Sequence, residues 1–211
     1  VWPVNENTQF EIGYRGDFSL QETDYNVFDL LDNGRTPNTE LTNFLGFTQK
    51  INAAYAQFGK KINKFSYLIG LRMEKTHIEI DQKTTKIFKE KDYTDWFPTL
   101  NFSFEFTEKE NITLGYSRRI RRPRSWSLNP FRSLTSLTFF RQGNPDLDPS
   151  YSNLFDLGYL KRWNKFTFNS SVYYQKATQV IERITETTGE LVVVSVNPLV
   201  ELPEFRSTSV N

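Results

Sequence analysis

The sequence predicts an all-β chain, an antiparallel up-and-down transmembrane β-barrel, on three observations. Apolar residues alternate with small or polar ones along most of its 211 residues, the period of a strand with one greasy face. The connections between these segments are alternately short and long. Aromatic residues crowd the side of the short ones. Short turns on one side and long loops on the other describe a membrane barrel.

The elements follow in order. The first strand is expected at Gln9 to Phe18, with Phe10, Ile12, Tyr14 and Phe18 on one face and Glu11, Arg15 and Asp17 on the other. Ser19 to Thr42 is polar and holds the turn signal Asp32-Asn33-Gly34. The second strand covers Phe44 to Phe58, with Ile51, Ala53 and Tyr55 opposite in phase to Lys50 and Asn52. The third runs from Phe65 to Ile80: Phe65, Tyr67, Ile69 and Leu71 alternate with Ser66, Gly70, Arg72 and Glu74, and Leu68 interrupts the polar face. Asp81 to Tyr93 reads as a charged loop. The fourth strand, Asp95 to Phe106, sets Leu100, Phe102, Phe104 and Phe106 against Thr99, Asn101, Ser103 and Glu105. Pro98 has no N–H for a ladder, which places it near the rim or at a bulge.

The fifth strand is Ile112 to Arg121, the sixth Tyr151 to Lys161 and the seventh Lys165 to Ile181. Thr188-Gly189 reads as a turn between Val180–Glu186 and Glu190–Val196, and the terminal PEFRSTSVN as the start of an eighth, descending strand. Lys60–Lys64, Thr107–Asn111 and Lys161–Lys165 are the short turns. Ser19–Thr42, Asp81–Tyr93, Arg122–Ser150 and Ile184–Leu202 are the long connections. Phe65, Tyr67, Phe104, Phe106, Tyr159, Phe166 and Phe168 form an aromatic girdle at the short-turn end, where rings tolerate a wet interface.

Composition narrows the function classes. Charge is balanced, 26 Lys plus Arg against 25 Asp plus Glu, which argues against a dedicated nucleic-acid binder. There is no cysteine, hence no disulfide framework and no thiolate metal site. Aromatics reach 16 %. A membrane helix needs about 20 consecutive apolar residues, and no such run exists. A membrane barrel shows none either, because only alternate residues face lipid. Val1 opens the chain without a basic segment or an apolar run, so a signal peptide is read as absent and the chain as a piece of a longer or processed protein.

Between Ser117 and Tyr159 the chain reads SRRIRRPRSWSLNPF, a loop, and GNPDLDPSYSNLFDLGY. The second block resembles the GNP-x-L-x-P-E … E-x-GY signature of TonB-dependent outer-membrane receptors. The first is similar to the segment that precedes it in them, above all in the Bacteroidetes-type outer-membrane β-barrel group. Asp148 stands where that family often has Lys, and Ser150 where it usually has Glu. The resemblance implies a barrel of about 22 strands with an internal plug. Residues 1–211 would then supply seven to eight strands of one partial barrel domain, with plug and leader elsewhere. It further implies location in the Gram-negative outer membrane, uptake of a nutrient of the siderophore, cobalamin or glycan class, and partners in outer-membrane lipid and, through the plug, the TonB complex.

Few residues suggest chemistry. His77, the one histidine, has Asp81 and Asp95 as candidate neighbours and no accompanying nucleophile, so no enzyme and no cofactor is expected. Continuing the phase of Tyr116, Arg118 and Arg122 point outward at the rim. Arg119 and Arg121 point into the lumen, where they could meet a plug or an anionic solute. Asp146, Asp148 and Asp156 match no calcium-loop spacing. Asn144-Pro145 and Asp148-Pro149 read as turn formers. Two other readings stay open: a small eight-stranded barrel with a structural or adhesive role, and a soluble β-sandwich that binds carbohydrate.

Overall fold

The structure, a computed structural model, describes residues 2–31, 34–196 and 199–211. Strands β1 (Trp2–Asn5) and β2 (Thr8–Tyr25) come first, followed by a small hairpin of β3 (Phe28–Leu31) and β4 (Gly34–Pro37). The long strands β5 (Asn43–Ile62), β6 (Phe65–Gln82), β7 (Ile87–Thr107) and β8 (Glu110–Arg121) succeed one another through tight turns. The next connection holds one helical turn, α1 (Ser125–Leu128), and two short strands, β9 (Ser133–Ser136) and β10 (Phe139–Arg141). Then come β11 (Ser150–Arg162), β12 (Thr167–Thr178), β13 (Glu182–Val196) and β14 (Leu199–Val210).

Eight strands form one antiparallel meander in the order β1-β2-β5-β6-β7-β8-β11-β12. The sheet is open: β1 and β12 are its two edges. Its register aligns the apolar alternation of every long strand. One row runs Phe10–Phe58–Ile69–Leu100–Tyr116–Phe155–Tyr174 across seven strands. The next row but one runs Tyr67–Phe102–Leu114–Leu157–Val172. Between them lies Leu68–Asn101–Gly115–Asp156, and beyond them Ser66–Ser103–Thr113–Gly158–Ser171. One face is therefore apolar and the other small and polar, with the phase the alternation predicts. Ile69, Leu71, Leu114, Phe155, Leu157 and Val172 are all exposed, because nothing among the described residues covers the apolar face. Ile51, Ala53 and Tyr55 fall on the polar face, opposite Thr76, Glu74 and Arg72.

The strands are longer than the apolar contrast suggests. On β6 the outward apolar positions run from Phe65 to Met73, the length of about 9–11 residues that a membrane strand needs. Yet β6 has 18 residues and β7 has 21. The charged segment Asp81 to Tyr93, expected as a loop, is thus a correction: it is the end of a tall hairpin, Gln82 pairing with Ile87 around a tight turn. Ser19 to Tyr25 likewise continues β2, paired up to Tyr25 with Asn43. Of the turn expected at Asp32-Asn33-Gly34, Asp32 and Asn33 lie outside the described residues, and Leu31 and Gly34 pair on either side. Pro98 marks a boundary. The β7–β8 ladder begins at Thr99, one residue short of it, as the missing N–H requires.

Two further expectations are corrected. Thr188-Gly189 is no turn: β13 runs through it, and the register against β14 shifts between Thr187 and Leu191. Gly189, at φ +83°, supplies the backbone that a bulge needs rather than one that reverses the chain. PEFRSTSVN does not start an eighth wall strand. It belongs to β14, which pairs antiparallel with β13 and parallel with β10 in a separate four-stranded sheet ordered β13-β14-β10-β9.

The buried core sits on the polar face at its tall end. Leu45 and Phe47 of β5 and Ile78 and Ile80 of β6 pack with Leu128 of α1 and Leu147 of the loop before β11. The long connection between β8 and β11 is thereby folded over the inner side of the wall.

Candidate functional site

Polar chemistry gathers on the inner face in two places. The first is a charge cluster. Glu74 accepts hydrogen bonds from Arg72 Nε at 2.6 Å and from Arg122 at 2.5 Å, and the same Arg122 nitrogen reaches Thr76 Oγ1 at 2.9 Å. Arg15 and Asp17 stand alongside, 3.7 Å apart, and line with them a cavity of about 170 Å³. Glu74 and Thr76 are buried, so the two arginines neutralise a carboxylate that water reaches poorly. Tyr93 adjoins, its ring 6.0 Å from the Arg122 guanidinium. It lies above the apolar band, and burial pushes its hydroxyl up, with Arg122 opposing.

Arg122 corrects the sequence reading. The alternation places it outward, but β8 ends at Arg121 and Pro123 follows. Beyond the last ladder residue the period of two no longer holds, and the side chain turns back to Glu74. Arg118 pairs with Asn153, its guanidinium 4.9 Å from the ring of Tyr151, which lies beside Asp95 and Tyr93. Arg119 and Arg121 pair with Ser152 and Ser150. Both are exposed, and neither forms an ion pair among the described residues.

The second place is the docked loop. Lys91 Nζ donates to the carbonyls of Asp146 (2.7 Å) and Leu147 (2.6 Å) and to Asp148 Oδ1 (3.1 Å), while Lys89 reaches Asp146 Oδ1 at 3.0 Å. Asn144 Oδ1 accepts from the Asp146 N–H at 2.9 Å, the Asx turn expected of that residue. Gly143 and Asn144 donate backbone hydrogen bonds to Asn129 O (2.7 Å) and Ser127 O (2.8 Å). Asp146 and Asp148 are thus the anchors of the GNPDLDP segment. Asp156 lies far along β11, over Gly115. Above the loop, Trp126, Asn129, Arg141, Arg183 and Ser207 border a cavity of about 490 Å³.

His77 also departs from expectation. Its Nδ1 is 3.1 Å from Asp92 Oδ1. Asp95 pairs with Glu74 on the opposite face. Sequence reasoning missed Glu74, Lys89, Lys91 and Asp92, whose partners, Arg72 beside Glu74 apart, are distant in sequence. At the short-turn end Glu110 lies just beyond the girdle. The Tyr159 hydroxyl, at 2.5 Å, and Lys161 hold its carboxyl below the usual range.

An open wall with an apolar outer face and a polar inner face defines a segment of a membrane β-barrel. The model of the outer membrane protein beta-barrel family matches residues 1–197, and the chain belongs to that family. Its place is the outer membrane. A comparison with curated proteins finds no match. Among solved structures the chain is similar to the siderophore receptor PirA from Pseudomonas aeruginosa. The identity is 12 % over 100 % of this chain and 49 % of that one, with a TM-score of 0.49. It is also similar to a mutant ferric enterobactin receptor from Pseudomonas aeruginosa (PfeA) in complex with enterobactin. There the identity is 12 % over 88 % of this chain and 34 % of that one, with a TM-score of 0.42. The chain therefore spans about half of the first of these and a third of the second.

Proposed function

We propose that the chain is part of the wall of a TonB-dependent receptor that takes up a scarce nutrient of the siderophore, cobalamin or glycan class. The observation that carries this reading is the GNPDLDPSY segment, whose sequence resembles the receptor signature and whose loop is anchored on the inner face of the wall. Family membership and the polar inner face support it. The open sheet opposes a small self-contained barrel, since β1 and β12 leave unpaired edges that hydrocarbon does not tolerate. The uncovered apolar face opposes a soluble sandwich. In this reading the plug and leader lie outside residues 1–211, and the plug meets the charge cluster of Arg15, Arg72, Glu74 and Arg122. Arg119 and Arg121 offer cationic donors to an anionic ligand or to the plug.

The test is uptake by cells carrying the full-length protein. Accumulation of one nutrient class that stops when TonB is removed supports the proposal. Replacing Arg119 and Arg121 together by Ala should weaken uptake of an anionic nutrient while leaving the barrel assembled. Diffusive uptake with no dependence on TonB would overturn the reading in favour of a passive pore.

A further inference from the structure

Above the apolar band the outer face of the β6–β7 hairpin turns acidic. Register sets His77 opposite Asp92 and Glu79 opposite Glu90, with Asp81 beyond them. Two carboxylates directly across a ladder repel each other. Glu79 and Glu90 nevertheless take part in no ion pair among the described residues. Lys89 and Lys91 alternate to the inner face, where they hold the loop. Lys50, across from His77, and Lys75 are the cations on the outer side, against the four acids Glu79, Asp81, Glu90 and Asp92. The face carries an excess of negative charge around one imidazole.

The geometry is that of a ligand set. One donor atom from each of His77, Glu79 and Glu90 lies within 4.8 Å of the others. Asp92 does for His77 what a carboxylate does for a metal-bound histidine. With Nδ1 3.1 Å from Asp92 Oδ1, the Nδ1–H tautomer would donate to Asp92 and leave the Nε2 lone pair for a metal. We propose that His77, Glu79 and Glu90 form a surface site for a zinc-class divalent ion, with Asp92 as positioning residue. An imidazole among carboxylates suits zinc, whereas calcium and magnesium take oxygen ligands. Bonds of about 2.0–2.1 Å set donors about 3.4 Å apart, which rotation of three surface side chains supplies without moving the strands. The bound ion removes the Glu79–Glu90 repulsion and clips β6 to β7 near the hairpin tip.

The experiment titrates the full-length protein in lipid nanodiscs with Zn²⁺ by calorimetry and with Co²⁺ by visible absorption. The expected result is one saturable ion per chain and the intense Co²⁺ band of a four-coordinate site. His77→Ala or Glu79→Gln should weaken binding at least about tenfold, and Asp92→Asn about 10- to 100-fold. Glu90→Gln gives an independent loss should His77→Ala disturb folding, which the heat-dependent gel mobility of the barrel reports. The proposal is overturned if the triple variant His77→Ala/Glu79→Gln/Glu90→Gln binds Zn²⁺ like the natural protein. It is equally overturned if Ca²⁺ competes at equal concentration.

Discussion

Replacing Gly143 by Ala should open the loop that covers the inner wall. An ideal Cβ on Gly143 would stand 2.5 Å from Asn129 O, 2.7 Å from Asn129 N and 2.8 Å from Ser127 O. All three are backbone atoms, so no rotamer change relieves the clash. The segment must move by most of an ångström, which strains the hydrogen bonds from Gly143 to Asn129 O and from Asn144 to Ser127 O. Overpacking costs about 1–3 kcal/mol, and each weakened hydrogen bond about 0.5–1.5 kcal/mol. Some of the cost relaxes because the loop lies at the surface, leaving about 2–4 kcal/mol. That corresponds to about 30- to 1000-fold more frequent local opening. Hydrogen exchange read by mass spectrometry on the full-length protein measures it in peptides spanning Ser127 to Asn129 and Gly143 to Leu147. Exchange should quicken there and stay unchanged in β6 and β11. Gly70→Ala is the control: its nearest neighbour would be Gln57 Oε1 at an ordinary 3.5 Å. Equal exchange in Gly143→Ala and the natural protein would refute the packing argument.

Lys91→Met keeps the stem but removes the donor to two carbonyls and Asp148, and it should free the same loop by about 1.5–3 kcal/mol, seen as faster proteolysis between Gly143 and Pro149. Spin labels at Ile69, Leu100, Phe155 and Val172 should be relaxed by oxygen in lipid, and labels at Ser66, Asn101 and Gly115 by a water-soluble relaxant; the opposite pattern on β7 and β8 would mean a one-residue slip of register. Glu110 titrates below the usual carboxylate range when folded, so its contribution is present above the unfolded value of about 4.3 and is lost as pH falls through the lower folded value. Acid should therefore loosen the short-turn ends of β8 and β11, where Glu110 pairs with Lys161, in exchange measurements below about pH 4, and Glu110→Gln should remove that acid-dependent step.

How much was legible depended on contrast between faces. From Phe65 to Leu71 and from Thr99 to Phe106, large apolar residues alternate with Ser, Gly, Thr and Asn, and both the strands and their phase follow. From Asp81 to Tyr93 the contrast vanishes. Outward Glu90 and Asp92 face water, and inward Lys89 and Lys91 face a loop more than fifty residues away in the chain. A polar strand whose partners are distant looks like a loop. Thr188-Gly189 misleads because glycine at positive φ serves bulges as well as turns. Arg122 misleads because phase is a property of paired residues, and pairing stops one residue earlier. In the site, Glu74, which Arg122 reaches from beyond the end of β8, carried no such local signal.

Strand β7 changes partners along its length. Below Pro98 it is zipped on both sides, to β6 and β8. Above, β6 remains, and β7 carries the loop through Lys89 and Lys91. Mechanically it is a beam clamped along both edges over its lower half and along one edge above, with a load hung from the upper half. A pull on the loop directed inward bends β7 about the level of Pro98, where it loses β8 and keeps only β6, itself paired with β5 up to Gln82. The same pull leaves the lower wall straight, because its ladders resist in shear. Displacing the loop therefore tilts the tip of the hairpin and not its base.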